Sequence, residues 1–214
     1  MPAENTLDSQ IKAQCEFLQG VCARQARVMV AIAGPPATGK STFAAHLSVA
    51  LTQCGICNVI VPMDGFHLDN VLLDQMGLRH RKGAPQTFDA QGFVALLSRI
   101  KSANAPVCVP VFDREADLSR NAARVVPTEV QVVLAEGNYL LLDLAPWDQL
   151  ATIFDHTIML CAPMDVLRMR LLKRWRDHGF AQDAACFKAE ENDLPNAQYV
   201  LANSRAADRT IMTA

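Results

Sequence analysis

The residues best suited to chemistry stand nine in a row near the start, Gly34-Pro35-Pro36-Ala37-Thr38-Gly39-Lys40-Ser41-Thr42. Two glycines flank four residues and are followed by Lys and Ser, the spacing of a phosphate-binding loop. Glycines let successive main-chain N–H groups turn inward around a polyphosphate, and a helix N-terminus adds positive potential. In such a cradle Lys40 reaches the β- and γ-phosphates, Ser41 holds Mg²⁺ and Thr42 contacts the α-phosphate. The surroundings sharpen the reading. Val28-Met29-Val30-Ala31-Ile32-Ala33 reads as a buried strand entering the loop, and Phe43, Leu47 and Leu51 recur at helical spacing after it. Strand, loop and helix in that order predict nucleotide binding.

Four further features carry reactive groups. Asp64-Gly65-Phe66-His67 follows an apolar run, and a carboxylate there can take the proton from a hydroxyl attacking the γ-phosphate. Asp before Gly is also a common turn pair, but beside a phosphate loop the general-base role is the stronger reading. Glu136 ends Val132-Val133-Leu134-Ala135, and an acid at the tip of a buried strand is placed for Mg²⁺. Val109-Pro110-Val111-Phe112-Asp113-Arg114 ends in adjacent opposite charges that either grip a polar acceptor or form a surface ion pair. Last, Met164–His178 is a helical pattern closed by Gly179, with Met164, Leu167, Leu171 and Trp175 on its apolar face. Arg170 and Arg174 on its flank suit a lid that neutralises the migrating phosphoryl group. Arg168 either snorkels or pairs with an acid. His46, His80, His156 and His178 show no metal-ligand spacing, and His67 differs only by its place beside Asp64.

These groups need a scaffold, and the pattern predicts one. Apolar runs at Val28–Ala33, Asn58–Met63, Val107–Phe112, Gln131–Ala135 and His156–Leu160 read as strands. Helical patterns at Thr42–Gln53, Ala90–Ser102 and Met164–His178 separate several of them, and an N-terminal helix is expected from Glu4 to about Arg24. Alternating strands and helices predict a parallel sheet covered on both faces. Asp64–Thr87 and Asp113–Pro127 lack periodicity; following strands, they should rise from the carboxyl edge, where open α/β sheets bind ligands.

Composition narrows the class. The chain has 214 residues, 50% hydrophobic and 20% charged, which suits one globular α/β domain with a small lid. A net charge of −2 gives no reason to expect a nucleic-acid partner. Seven scattered cysteines without framework spacing favour a reducing, cytosolic setting. No leader-like apolar core stands in Met1–Gly20, and no run is long enough for a bilayer, so no membrane partner is expected. Cys54-Gly55-Ile56-Cys57 has redox spacing, yet Gly55 as a helix C-cap and Cys57 as the next strand's start explain it structurally.

The combination resembles the phosphoribulokinase, uridine kinase and pantothenate kinase family of P-loop kinases, and within it the small bacterial proteins labelled fructose transport system kinases or nucleoside/nucleotide kinase family proteins. The resemblance runs from about Arg27 to Asp208. It rests on Gly34–Thr42, Met63–His67, Arg81-Lys82-Gly83-Ala84-Pro85 with Phe88-Asp89, Val109–Arg114 and Ala135-Glu136-Gly137-Asn138-Tyr139. Asn192-Asp193-Leu194-Pro195-Asn196-Ala197, Asn203-Ser204 and Ala207-Asp208 look particular to the small subgroup. It implies a three-layer α/β fold with a five-stranded parallel sheet core over residues 1–214 and a helical lid at about 164–192. It also implies ATP with Mg²⁺ as donor and a small molecule bearing a hydroxyl (sugar, nucleoside or pantothenate-like) as acceptor. By the family pattern Asp64 is the base, Ser41 and Glu136 hold the metal, and the lid arginines lie in Arg168–Arg174. Asp64, His67, Asp113, Arg114, Tyr139 and Arg168 are the expected acceptor contacts. The acceptor loop is closer to the pantothenate kinase form, although the chain is too short for that enzyme's extensions. Two rival classes differ in sequence. A guanine switch would show Asn-Lys-x-Asp, which is absent, and a motor-type ATPase favours a second acid where Gly137 stands. A nucleotide-binding regulatory protein without turnover stays open.

Overall fold

A computed structural model describes residues 6–213. In chain order the elements are α1 (Leu7–Cys22), β1 (Val28–Ala33), α2 (Lys40–Gln53), β2 (Asn58–Pro62), α3 (Asn70–Gln75), α4 (Ala90–Ser102), β3 (Val107–Asp113) and β4 (Leu118–Val126). Then follow β5 (Val132–Gly137), β6 (His156–Cys161), α5 (Met164–Asp177), α6 (Gln182–Lys188), α7 (Leu194–Asn203) and β7 (Arg209–Met212). The expected first helix is present as α1; its predicted start at Glu4 lies outside the described residues. Among the described residues no helix is long and apolar enough to cross a membrane.

Five strands form one parallel sheet in the order β2-β5-β1-β6-β7. Burial on both faces explains the apolar runs. Along β1, Val28, Val30 and Ile32 pack with Phe43, Leu47 and Leu51 of α2 and with Ile11 and Leu18 of α1. The alternate residues, Met29, Ala31 and Ala33, face Phe93, Leu97 and Ile100 of α4. Helices therefore cover both faces, and the three-layer α/β expectation holds.

Two strand assignments need correction. Val107–Phe112 is not in the parallel sheet: β3 pairs antiparallel with β4, with a register shift between Val109 and Val111. The stretch Asp113–Pro127, expected to be irregular, is mostly β4, whose residues are almost all exposed. A two-stranded ribbon with one face in water needs no apolar alternation on that face, so Arg120, Asn121 and Arg124 gave no strand signal. The fifth parallel strand is instead β7, where only Ile211 is buried. An edge strand this short shows no apolar run.

The other irregular stretch, Asp64–Thr87, folds as short helical turns around α3. After α5, which Gly179 terminates at φ 84°, α6 and α7 are joined by a π-type turn at Ala189–Asp193. Gly55 follows α2 at φ 77°, the left-handed end position expected of it. All seven cysteines are free thiols.

Arg27 ties β1 to its surroundings. Its guanidinium donates to the carbonyls of Ile100 at 2.6 Å, Thr128 at 2.7 Å, Ala103 at 3.0 Å and Val130 at 3.1 Å. Ile100 and Ala103 close α4, so a cation there satisfies orphan carbonyls and the helix dipole together. Replacing Arg27 by Ala is expected to lower unfolding free energy by about 2 kcal/mol. Denaturant titration should show Arg27→Lys recovering less than half of the loss, because one ammonium cannot span four carbonyls.

Candidate active site

Strand register brings the candidates together. Ile32 of β1 and Pro62 of β2 both stand level with Glu136 of β5. Neighbouring strands lie about 4.8 Å apart, so Gly34, Glu136 and Asp64 emerge within roughly 10 Å along one carboxyl edge.

The loop between β1 and α2 is tightly constrained. A Cβ on Gly34 would collide with the carbonyl of Leu160 at the end of β6. Gly39 at φ 88° and Ala37 at φ 65° hold left-handed conformations on either side of Thr38. Alanine seldom adopts that backbone, a strain typical of a ligand-binding turn. The Pro35 carbonyl accepts from Lys40 Nζ and from Thr38 Oγ1, each at 2.8 Å. Lys40 is only 8% exposed. Burial pulls its ammonium down to about 8, with Glu136 and Asp64 opposing the shift and Arg174 adding to it.

Glu136 is also buried, and desolvation raises its carboxyl, with Lys40 pulling it back. Its two oxygens accept from Ser41 Oγ at 3.2 and 3.1 Å. One hydroxyl beside one buried carboxylate suits a Mg²⁺ that keeps waters and phosphate oxygens as its other ligands. Among the described residues no three His, Cys, Asp or Glu side chains gather into a protein-only metal cage.

Asp64 sits in the helical turn Met63–Phe66 directly after β2. The β3–β4 ribbon presses on this turn: a Cβ at Gly65 would lie 2.8 Å from the Pro110 carbonyl oxygen. From the ribbon tip Arg114 Nη2 donates to Asp64 Oδ2 at 2.8 Å. The adjacent charges of the ribbon therefore part company. Asp113 caps the turn, accepting from the amides of Glu115 and Ala116, and pairs with Arg120 at 3.5 Å.

The remaining candidates separate into two groups. His67 keeps its Nδ1 2.8 Å from the main-chain oxygen of Asp64, with its ring between Phe88 and Phe112, and burial lowers its pKa. It shapes the turn rather than holding the Asp64 carboxylate. Tyr139 is fully buried and donates to the Gly83 carbonyl at 2.5 Å, so it braces the loop after α3 from within the core. Arg168 is exposed and paired with Glu190 at 2.5 Å, the acid-paired alternative. Arg174 acts electrostatically on Lys40 and on half-buried Asp193. Arg170 lies elsewhere, 3.3 Å from the Ala37 carbonyl and 3.2 Å from Thr213 Oγ1. It borders a cavity of about 490 Å³ that also touches Ala37, Thr42, Leu160 and Ile211.

Sequence reasoning missed a clamp. Arg81 donates to the Glu191 carbonyl at 2.7 Å, and Asn192 donates to the Lys82 carbonyl at 2.9 Å. The segments Arg81–Pro85 and Glu191–Ala197 thus meet; separate in the chain, they gave no sign of contact.

Comparison with known proteins places this geometry. A solved structure from Silicibacter sp., described as a "putative fructose transport system kinase", is 45% identical, covers 92% of this chain and 97% of that chain, and superposes with a TM-score of 0.86. A "putative uridine kinase" of Schizosaccharomyces pombe is 31% identical over 193 residues, 86% of this chain and 82% of that protein. The chain belongs to the phosphoribulokinase, uridine kinase and pantothenate kinase family of P-loop kinases. The uncharacterized protein YggC of Escherichia coli is 36% identical over 187 residues, 86% of this chain and 77% of that protein. Pantothenate kinases match too, as in Bradyrhizobium at 31% identity, but the chain spans only 58% of that enzyme's length. No family model matches the chain.

The depressed Lys40 carries a pH signature. Below about pH 8 the ammonium is charged; above it the free protein loses that charge, while a bound polyphosphate restores it. Affinity for an ATP analogue should therefore fall as pH rises from 8 to 9. Calorimetry at pH 8.5 in buffers of different ionisation enthalpy should register proton uptake on binding, and little uptake at pH 6.5.

Proposed function

We propose that this kinase transfers the γ-phosphate of Mg²⁺-bound ATP to a hydroxyl of a small molecule, of the sugar, nucleoside or pantothenate-like kind. One observation carries the reading: Lys40, Glu136 and Asp64 form a single electrostatic group at the mouth of the phosphate loop. The roles follow from placement. Lys40 leaves the Pro35 carbonyl for the β- and γ-phosphates. Ser41 and Glu136 would hold Mg²⁺, which would screen the phosphate oxygens. Asp64 takes the proton of the acceptor hydroxyl, and Arg114, its present partner, turns to the acceptor. Arg174, on the lid, neutralises charge on the migrating group. A loose transition state leaves the protein mainly these tasks of alignment and neutralisation.

Relatives named for uridine and pantothenate, and a fructose-system namesake, support a hydroxyl acceptor without choosing among them. A panel of sugars, nucleosides and pantothenate-like alcohols, scored by acceptor-dependent ADP release, tests the proposal; no release with any of them would count against it. With the acceptor in hand, Asp64→Asn is expected to slow transfer at least tenfold while nucleotide affinity stays within about twofold. Lys40→Ala should abolish transfer with the fold intact by circular dichroism, and unchanged turnover in either variant would remove its assigned role.

A further inference from the structure

The cavity beside the phosphate loop is walled largely by the two ends of the described chain. Leu7 and Gln10 come from the first turn of α1, and Ile211, Met212 and Thr213 from the end of β7. Neither end belongs to the strand–loop–helix that makes the phosphate cradle. Their placement is built in. Ile11, Cys15 and Leu18 bury α1 in the same cluster as Phe43, Leu47 and Ile211. Leu7 stands four positions before Ile11 and three before Gln10, so Leu7 and Gln10 lie on one side of the helix, where both line the cavity. Thr6 fixes that turn, its hydroxyl accepting from the Ser9 amide at 3.2 Å. On the far side Arg170 bridges the Ala37 carbonyl and Thr213 Oγ1, closing the wall between loop and C-terminal strand.

The cavity shares Ala37, Thr38, Gly39 and Thr42 with the phosphate loop. A nucleoside attached to phosphates held in that loop has this space open to it. Its volume of about 490 Å³ lies within the range of small-molecule sites, and its leucine, isoleucine and methionine walls suit the faces of a planar base.

Resting on the ATP-dependent reading above, we infer that the first turn of α1 is the base-reading wall of this kinase, with Gln10 as the specificity-determining residue for adenine. A carboxamide offers a donor and an acceptor side by side, which matches adenine N7 and its 6-amino group. Guanine presents two acceptors on the same edge, N7 and O6, and leaves the amide oxygen unmatched. Leu7 supplies apolar contact to the ring without regard to its edge. The α1 turn is thus a part of the nucleotide site rather than a cover for the core alone.

The test is a titration of the full-length protein with Mg²⁺ present, using ATP, GTP and inorganic tripolyphosphate against native, Gln10→Ala and Leu7→Ala proteins. Alanine suits an exposed helical turn, and an unchanged melting temperature verifies the fold. Gln10→Ala should weaken ATP about fivefold and reduce the ATP-over-GTP preference by the same factor, with tripolyphosphate affinity unchanged. Leu7→Ala should weaken ATP and GTP alike. Native affinities for all three ligands in both variants would overturn this inference while leaving the kinase reading intact. A native protein that binds neither ATP nor tripolyphosphate would overturn both.

Discussion

The parallel register of three strands is the constraint on which the site depends. β2, β5 and β1 lie side by side with Pro62, Glu136 and Ile32 in one row. The residues that leave these strands at their carboxyl ends, Asp64, Glu136 itself and the loop from Gly34, must then share one edge. Slipping any strand by a residue would invert its buried faces, and both faces here are occupied. The apolar pattern that folds the sheet therefore also levels its reactive ends. No separate device is needed to gather a loop and two carboxylates from positions about 100 residues apart.

Around that edge the structure concentrates buried charge. An almost fully buried ammonium and a buried carboxylate are each costly, and each moderates the other's shift. Their temporary partners are weak ones for such groups: a main-chain carbonyl for Lys40 and a serine hydroxyl for Glu136. Under the proposed kinase reading, phosphate oxygens and a cation would replace those partners. Arg114 on Asp64 repeats the theme at the surface, where solvent makes the ion pair cheap to open. The clamp between the loop after α3 and the π-type turn before α7 then joins two segments that lie about 110 residues apart in the chain. Turns of this type recur at functional positions because they shift side chains out of helical register.

Arg170 and Arg174 show how placement divides residues that look alike. Arg170 and Arg174 stand one turn apart on α5, and their type alone suggests one shared duty. One turn of helix moves a side chain about 5.4 Å along the axis, enough to carry Arg174 towards Lys40 and leave Arg170 against Ala37 and Thr213. Arg168 points away to Glu190. The same helix thus faces Lys40, the cavity beside the phosphate loop and solvent.

What was legible in the chain was whatever rests on local spacing. Gly34 to Thr42 with its flanking strand and helix, the acid ending β5, the Asp after β2 and the α/β alternation are all short-range patterns, and each is where the pattern put it. β3 was assigned to the wrong sheet and β7 was missed, because strand membership is decided by partners far along the chain. An apolar run states that a segment is buried, not which sheet buries it, and β7 has too little buried surface to announce itself. Arg114 on Asp64, Tyr139 under Gly83 and the meeting of α1 and β7 at the cavity are likewise contacts between distant segments. Sequence by itself determined the phosphate cradle and the family; tertiary structure alone decided which charges meet and where a cavity opens beside the loop. Spacing along a chain encodes local geometry, whereas distance across a fold depends on how whole elements pack.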